Sequence, residues 1–296
     1  MYLVTGSNGF IGRVLIKRLQ EEGIRTRVLI RPGVTDSIGA TDHVKFFTGD
    51  LFRPETLIAA TKDIDIVIHL AGVTHAFDKN LYRRVNVDGT KNLVVACLQN
   101  RVNRIIYIST RAISPSGGFY SVSKMEAEQI IKNSSMDFTI LRLAEVYGGN
   151  KSKGIENLIG VIRRSCIVPI IGNGNYTLQP VYIKDVIEAI ISVCKSDKAD
   201  FKIYNIAGPD ILTYNDLVKL ICRYMKLKRW LIHVPAIVVL ACSYFSAFIF
   251  KKIIVYPDQI SRLVSPKEDS IEKAIKDIGY RPLGFKDGLK LILNME

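Results

Sequence analysis

The segment Thr5-Gly6-Ser7-Asn8-Gly9-Phe10-Ile11-Gly12 constrains this chain more than any other. It follows a short apolar strand, Tyr2–Thr5, and opens a helix whose apolar residues Ile11, Val14, Leu15 and Leu19 fall at helical spacing. Gly6 permits the tight turn, Gly9 lets the backbone approach a pyrophosphate, and Gly12 lets the helix pack closely on the strand. The start of the helix offers unpaired N–H groups and a positive dipole end to an anion. A glycine pattern alone says little; between a strand and a helix it points to a dinucleotide.

The rest of the first half has the matching rhythm. Strands are predicted at Arg27–Ile30, Val44–Phe47, Ile64–Leu70, Arg104–Ser109 and Phe138–Leu143. Helices are predicted between them at Pro54–Thr61, Val87–Asn100 and Ser121–Asn133. Continuous apolar strands alternating with helices specify a parallel sheet covered on both faces. The expected class is α/β, a Rossmann doubly wound parallel sheet whose ligand crevice lies beyond the carboxyl ends of the strands. The second half is less regular. It reads as a loop at Gly148–Gly154, a helix at Ile155–Arg164, a turn at Gly172–Asn175, and strands at Val181–Ile183 and Ile203–Ile206 around a helix at Asp185–Cys194. A helix at Tyr214–Met225 and a segment at Ser270–Ile278 follow. This predicts a dinucleotide-binding domain of residues 1–165 plus 179–207, and a smaller C-terminal substrate-binding lobe of 166–178 plus 208–296.

Composition narrows the partners. The 296 residues are 48% hydrophobic and 23% charged, which excludes global disorder and gives room for a sizeable core. Forty-one Lys and Arg against 28 Asp and Glu leave a formal charge of +13, which favours anionic partners. No basic run exceeds two residues, so a nucleic-acid docking element is not expected. Cys97, Cys166, Cys194, Cys222 and Cys242 fit no CxxC or CxxxxC spacing, so no metal site is expected. Scattered thiols and a glycine loop reached by Gly6 predict a reducing, cytoplasmic setting with no signal peptide. The uncharged run Val234–Phe250, with Lys251-Lys252 after it, is short for a spanning helix and holds Pro235, Ser243 and Ser246. It is read as a buried or substrate-covering helix, with peripheral membrane contact as the alternative.

Three further features carry chemistry. Strand two ends Leu29-Ile30-Arg31-Pro32, where an NAD site usually has an acidic residue; Arg31 is placed to meet a 2′-phosphate and favours NADP, with NAD as the alternative. Asp50, in Gly49-Asp50-Leu51, can accept from an adenine amino group or cap the next segment. In Tyr120-Ser121-Val122-Ser123-Lys124, Tyr and Lys at i and i+4 share a helix face. An ammonium beside a phenol favours the phenolate, which makes Tyr120 a general acid/base for a carbinol–carbonyl pair. His69 reads as a satisfied structural histidine and His75 as a weak substrate-loop candidate; His43 and His233 lie far from both in sequence.

Together these residues resemble the extended short-chain dehydrogenase/reductase family, the NAD-dependent epimerase/dehydratase group. The resemblance runs through TGSNGFIG at 5–12, GDL at 49–51, IHLAG at 68–72, NVDGT at 86–90, Ser109-Thr110, YSVSK at 120–124, LRLAEVYG at 141–148, VYIKDV at 181–186 and YNIAGP at 204–209. It implies that Thr110, Tyr120 and Lys124 are catalytic, with Thr110 donating to the substrate oxygen and Lys124 holding the nicotinamide ribose. It implies a cofactor lined by Gly6, Asn8, Gly9, Phe10, Ile11, Gly12, Arg31, Asp50, Leu51, Leu70, Ala71, Gly72, Asn86 and Ser109, as well as by Tyr120 and Lys124. Asn86 would support the helix carrying the Tyr/Lys pair, and two helices, that one included, would pack in a homodimer.

Departures sharpen the reading. Family 4,6-dehydratases carry Asp-Glu directly after the catalytic Thr; Arg111-Ala112 stands here, so water elimination is not expected. Leu143 replaces the usual proline of the sixth strand, and the phosphate-binding arginine after the glycine turn is replaced near Leu178-Gln179. The resemblance implies an NAD(P)-dependent nucleotide-sugar epimerase or 4-keto reductase acting at a sugar C4 for envelope polysaccharide. The alternatives are a 3β-hydroxysteroid- or lipid-type dehydrogenase and a non-catalytic NADPH-binding relative of the complex I accessory subunit.

Overall fold

The computed structural model describes residues 1–34, 39–76, 78–149, 154–242 and 270–293. Strands β1 (Tyr2–Thr5), β2 (Thr26–Ile30), β3 (Val44–Thr48), β4 (Ile66–His69), β5 (Arg104–Thr110) and β6 (Asp137–Leu143) alternate with helices α1 (Phe10–Glu21), α2 (Pro54–Thr61), α3 (Lys79–Tyr82), α4 (Gly89–Gln99) and α5 (Gly118–Lys132). Short strands β7 (Val146–Tyr147), β8 (Ile167–Ile171), β9 (Thr177–Leu178) and β10 (Val181–Tyr182) follow, then β11 (Lys202–Ile206), β12 (Leu212–Thr213) and β13 (Trp230–Val234). Among them run α6 (Ile155–Arg164), α7 (Ile183–Cys194) and α8 (Tyr214–Tyr224), and the described chain ends with helices Glu272–Ile278 and Phe285–Leu293.

The main sheet has seven strands in the order β11-β6-β5-β4-β1-β2-β3, and each pair along it is parallel. The strand order reverses at β1, so the crevice between β1 and β4 is the switch point where such sheets bind ligands. Strand residues alternate between two cores. Val4, Val28, Ile68, Ile106 and Leu141 join one cluster with α1 and α7; Leu3, Leu29, Val67, Ile105 and Ile140 join the other with α2, α4 and α5. That is why the strands read as unbroken apolar runs.

The expected class and the element order are seen, with differences at the margins. Arg83–Asp88 is a π-helical segment that joins α3 to α4, where a single helix from Val87 was expected. The expected strand Val181–Ile183 is only two residues long, because Ile183 already begins α7. The larger difference is β13, which was not expected. It pairs in parallel with β8, Trp230 beside Ile167 through Val234 beside Ile171. Of the run Val234–Phe250, Val234 ends this strand, residues 236–242 are helical, and 243–250 lie outside the described residues. The described part is not buried: Ile237 is 76% exposed, with no element among the described residues packed over it. No helix among the described residues is long and apolar enough to cross a membrane.

Candidate active site

Gly6 stands at φ +77°, and a Cβ there would lie 2.5 Å from the Ala71 amide nitrogen. The glycine loop and the β4 exit therefore cross backbone to backbone, which no other residue type allows. A Cβ on Gly12 would lie 2.3 Å from the Gly6 carbonyl oxygen, so α1 packs directly on the loop. Gly9 caps α1 without a side-chain bond, and the first turn carries no acidic residue. The Asn8 side-chain oxygen is buried with no partner among the described residues. An unpaired helix start, a backbone cradle and an orphaned polar atom fit the pyrophosphate of a dinucleotide.

Arg31 lies just past β2 and is exposed. Asp50 lies just past β3, where its Oδ1 accepts from the Phe52 amide at 2.9 Å, so it caps the turn before α2. The Leu51 carbonyl accepts from Asn92 at 2.8 Å. Leu70, Ala71 and Gly72 form the β4 exit. Its Ala71 amide donates to Thr5 Oγ1 at 3.3 Å.

His69, at the end of β4, is fully buried between Thr5 Oγ1 (2.7 Å) and Thr90 Oγ1 (3.0 Å). Thr90 donates to the Asn86 carbonyl at 2.6 Å. Donor accounting therefore puts the ring proton on Nε2 and leaves Nδ1 to accept from Thr5. Burial, with Lys124 nearby, drives the His69 pKa down to about 3, so the ring is neutral. It is the structural histidine expected. His75 is exposed and bonds Thr74 at 2.8 Å.

The Tyr/Lys pair sits at the end of β5. Helix α5 starts at Gly118, so Tyr120 lies in its first turn and is 8% exposed. Asn86 accepts from the Val73 amide at 2.8 Å and donates to Ser123 Oγ at 2.9 Å. Ser123 in turn donates to the Tyr120 carbonyl at 2.8 Å. Asn86 thus ties the β4 exit to the turn that carries Tyr120. The Tyr82 ring meets the Tyr120 ring edge-on at 6.2 Å. Thr110 ends β5 and accepts from the Ala112 amide at 3.2 Å through a hydroxyl that still has a proton to donate.

Lys124 is buried and donates to the Ile108 carbonyl at 2.7 Å, with its ammonium 4.0 Å from the Tyr107 ring centre. Burial pulls its pKa down to about 7, and Glu128 opposes that fall. Glu128, one turn further along α5, was not anticipated from the sequence. It accepts from Ser109 Oγ at 2.6 Å and from both Arg142 Nε (3.0 Å) and an Arg142 terminal nitrogen (2.7 Å). Burial would raise its pKa, yet the Arg142 and Ser109 bonds hold it below the ordinary carboxylate value. The i+4 spacing from Lys124 was the available signal; Arg142 comes from β6, where it sits beside Ser109 in the register.

Arg111, directly after Thr110, is buried; its amide donates to the Leu143 carbonyl and its guanidinium to Gln179 Oε1, each at 2.9 Å. Gln179 passes the link to the Gly208 carbonyl at 2.7 Å. A guanidinium therefore holds the place where an acid pair would be needed for water elimination. An open cavity of about 450 Å³ lies elsewhere, at the ends of β8 and β13, lined by Gly172, Asn173, Asn215, His233 and Pro235.

The glycine cradle, the switch point and the Tyr–Lys pair agree with a comparison against known families, in which residues 2–207 match the NAD dependent epimerase/dehydratase family. The chain belongs to this family. Among curated relatives, it is 25% identical to a ceramide reductase of Caulobacter vibrioides over 78% of this chain and 73% of that protein. It is 23% identical to a UDP-glucose 4-epimerase of Vibrio cholerae, over 95% of this chain and 90% of that one. The solved structure of MoeE5 in complex with UDP-glucose and NAD superposes with a TM-score of 0.78 at 21% identity, over 99% of this chain and 97% of that chain. That likeness shows the fold. Among the described residues no group of His, Cys, Asp and Glu is arranged to hold a metal ion.

Proposed function

We propose that this family member interconverts a secondary alcohol and its ketone at C4 of a nucleotide sugar, as a 4-keto reductase or an epimerase for envelope polysaccharide. The observation that carries this reading is that Lys124 and Ser121, the latter next to Tyr120, bond the backbone on either side of Thr110 at the end of β5, with Arg111, not an acid, beside Thr110. When bound along the glycine loop, a nicotinamide dinucleotide supplies or accepts the hydride. In the reducing direction Tyr120 gives its proton to the carbonyl oxygen as that oxygen gains charge, and Thr110 donates a hydrogen bond to the same atom. Lys124, held against Ile108 and Tyr107, favours in its ammonium form the phenolate that remains. Glu128 opposes the burial that lowers the Lys124 pKa to about 7 and so favours its ammonium form.

Gly6, Asn8, Gly9, Phe10, Ile11 and Gly12 would hold the pyrophosphate, Asp50 and Leu51 the adenine end, and Leu70 to Gly72, Asn86 and Ser109 the path to the nicotinamide. Arg31 supports NADP over NAD. In a homodimer, α4 and α5 would face their copies; Val95 and Leu98 on α4 and Phe119 on α5 are exposed. Residues 166–178 and 208–296 would form the substrate lobe.

The test is turnover by the purified chain. NADPH consumption with a UDP- or dTDP-4-keto sugar, or C4 epimer formation from a UDP-sugar, supports the reading when Tyr120→Phe abolishes it. A second reading, a lipid-type ketone reductase, draws on the likeness to a ceramide reductase. Turnover of a long-chain 3-keto lipid, with no turnover of any nucleotide sugar, would replace the first reading by the second.

A further inference from the structure

Strands β8 and β13 form a two-stranded parallel sheet whose two faces differ sharply. On β8, Val168 and Ile170 are fully buried, Val168 within the main core, while Ile167 and Pro169 point away and are exposed. The register sets Trp230 beside Ile167 and Ile232 beside Pro169, so these four side chains share one face. Trp230 is 77% exposed, Ile232 47% and Ile167 48%. Residues 236–242 continue from the end of this sheet and present Ile237 at 76% and Val238 at 45% exposure. Six neighbouring apolar residues open to water, one of them a tryptophan, need a partner.

Charge identifies the partner. Because the two strands are parallel, their starting ends coincide. Arg163 and Arg164 precede β8; Lys226 and Lys228 precede β13; all four are exposed. The Arg229 Nε bond to the Ile162 carbonyl, 2.6 Å long, ties the two entry segments together. From Asn157 to Ile171 and from Leu217 to Cys242 the sequence holds no acidic residue. An apolar face with a tryptophan at its edge, flanked by cations and carried on two segments that hold no acidic residue, matches an anionic bilayer surface: rings and aliphatic groups enter the headgroup boundary and cations meet lipid phosphates.

We infer that the β8–β13 face, with residues 236–242, docks peripherally on an anionic lipid membrane. The inference does not depend on the substrate of the Tyr120 site. Trp230 is the chain's single tryptophan, so its emission reports on this face alone. The experiment titrates the full chain with phosphatidylglycerol/phosphatidylcholine vesicles and with phosphatidylcholine vesicles, following Trp230 emission and co-sedimentation. The expected result is a blue shift with the anionic vesicles, quenching by brominated acyl chains, and weakening as salt rises. Arg164→Glu with Lys228→Glu should lower partitioning at least about tenfold, since each cation near the surface contributes roughly fivefold. Ile232→Asp should abolish the shift while circular dichroism stays unchanged. Emission that does not respond to anionic vesicles overturns the inference. So does a shift that grows with protein concentration without lipid, which would assign the face to a second copy. So does a Trp230 shielded from iodide in dilute, lipid-free protein, which would assign it to residues 243–269 of this chain.

Discussion

The β4–β5 and β8–β13 pairs are both parallel and both rich in isoleucine and aromatic residues, yet Ile105, Ile106 and Tyr107 are fully buried whereas Trp230 is 77% and Ile232 47% exposed. The difference lies in what covers them. The main sheet has α1 and α7 on one face and α2, α4 and α5 on the other. Among the described residues, the small sheet packs Val168 and Leu231 against the core and buries Ile170, and its Ile167–Trp230 side stays open. An apolar strand therefore tells how a segment pairs, while the layers around it tell what it is for. At the ends of the covered strands the fold builds a satisfied polar network around Lys124 and Asn86; along β8 and β13 the described residues leave an apolar surface.

The sharpest break of that contrast is chemical. Tyr120→Phe should lower kcat about a thousandfold with the melting temperature unchanged, because the loss is one proton-transfer group in an intact site. Retention of more than a tenth of the rate would move catalysis away from α5. Next in size is a packing contrast within β8. Ile170→Ala should cost about 2–4 kcal/mol in urea unfolding, and Ile167→Ala under about 0.5 kcal/mol; equal costs would mean that the outer face is covered. Gly12→Ala should cost about 2–3 kcal/mol and weaken nucleotide binding, since its Cβ would collide with the Gly6 carbonyl.

Smaller effects come from pH. The folded His69 pKa, about 3 against an ordinary 6.5, lies below its unfolded value, so the stability it confers is present above pH 6.5 and is lost as pH falls toward 3. His69→Gln should flatten the acid limb of a stability profile in that window. Lys124 also titrates lower when folded, near 7, and Glu128 raises it. Glu128→Gln should move the alkaline limb of the activity profile to lower pH by roughly one unit. An unchanged limb would show that Glu128 braces Ser109 and Arg142 without tuning Lys124.

Legibility in the sequence followed the range of the interactions. The glycine loop, the continuous strands and the Tyr120–Lys124 pair depend on neighbours within one turn or one strand, and all were readable. Glu128 was within the same reach and was missed. Arg142 was not readable, because its place beside Ser109 arises from the pairing of β5 with β6. Nor was β13: Trp230–Val234 runs into the apolar stretch after it, and its partner β8 lies more than half a domain away in the chain. The Asn86 link from the β4 exit to Ser123 joins two loops whose meeting only the fold decides.

The central claim is that the ends of the covered strands hold a nicotinamide dinucleotide for hydride exchange. The direct measurement is mass spectrometry of the nucleotide retained by freshly purified chain, and by chain incubated with NADPH and NADH, after rapid desalting and denaturation. The account predicts a nicotinamide dinucleotide near one per chain, with NADP(H) retained over NAD(H) and that preference lost in Arg31→Ala. Retained NAD⁺ with no response to Arg31→Ala would keep the fold's cofactor and overturn the NADP preference. A chain that retains neither, even from millimolar solution, would contradict the account.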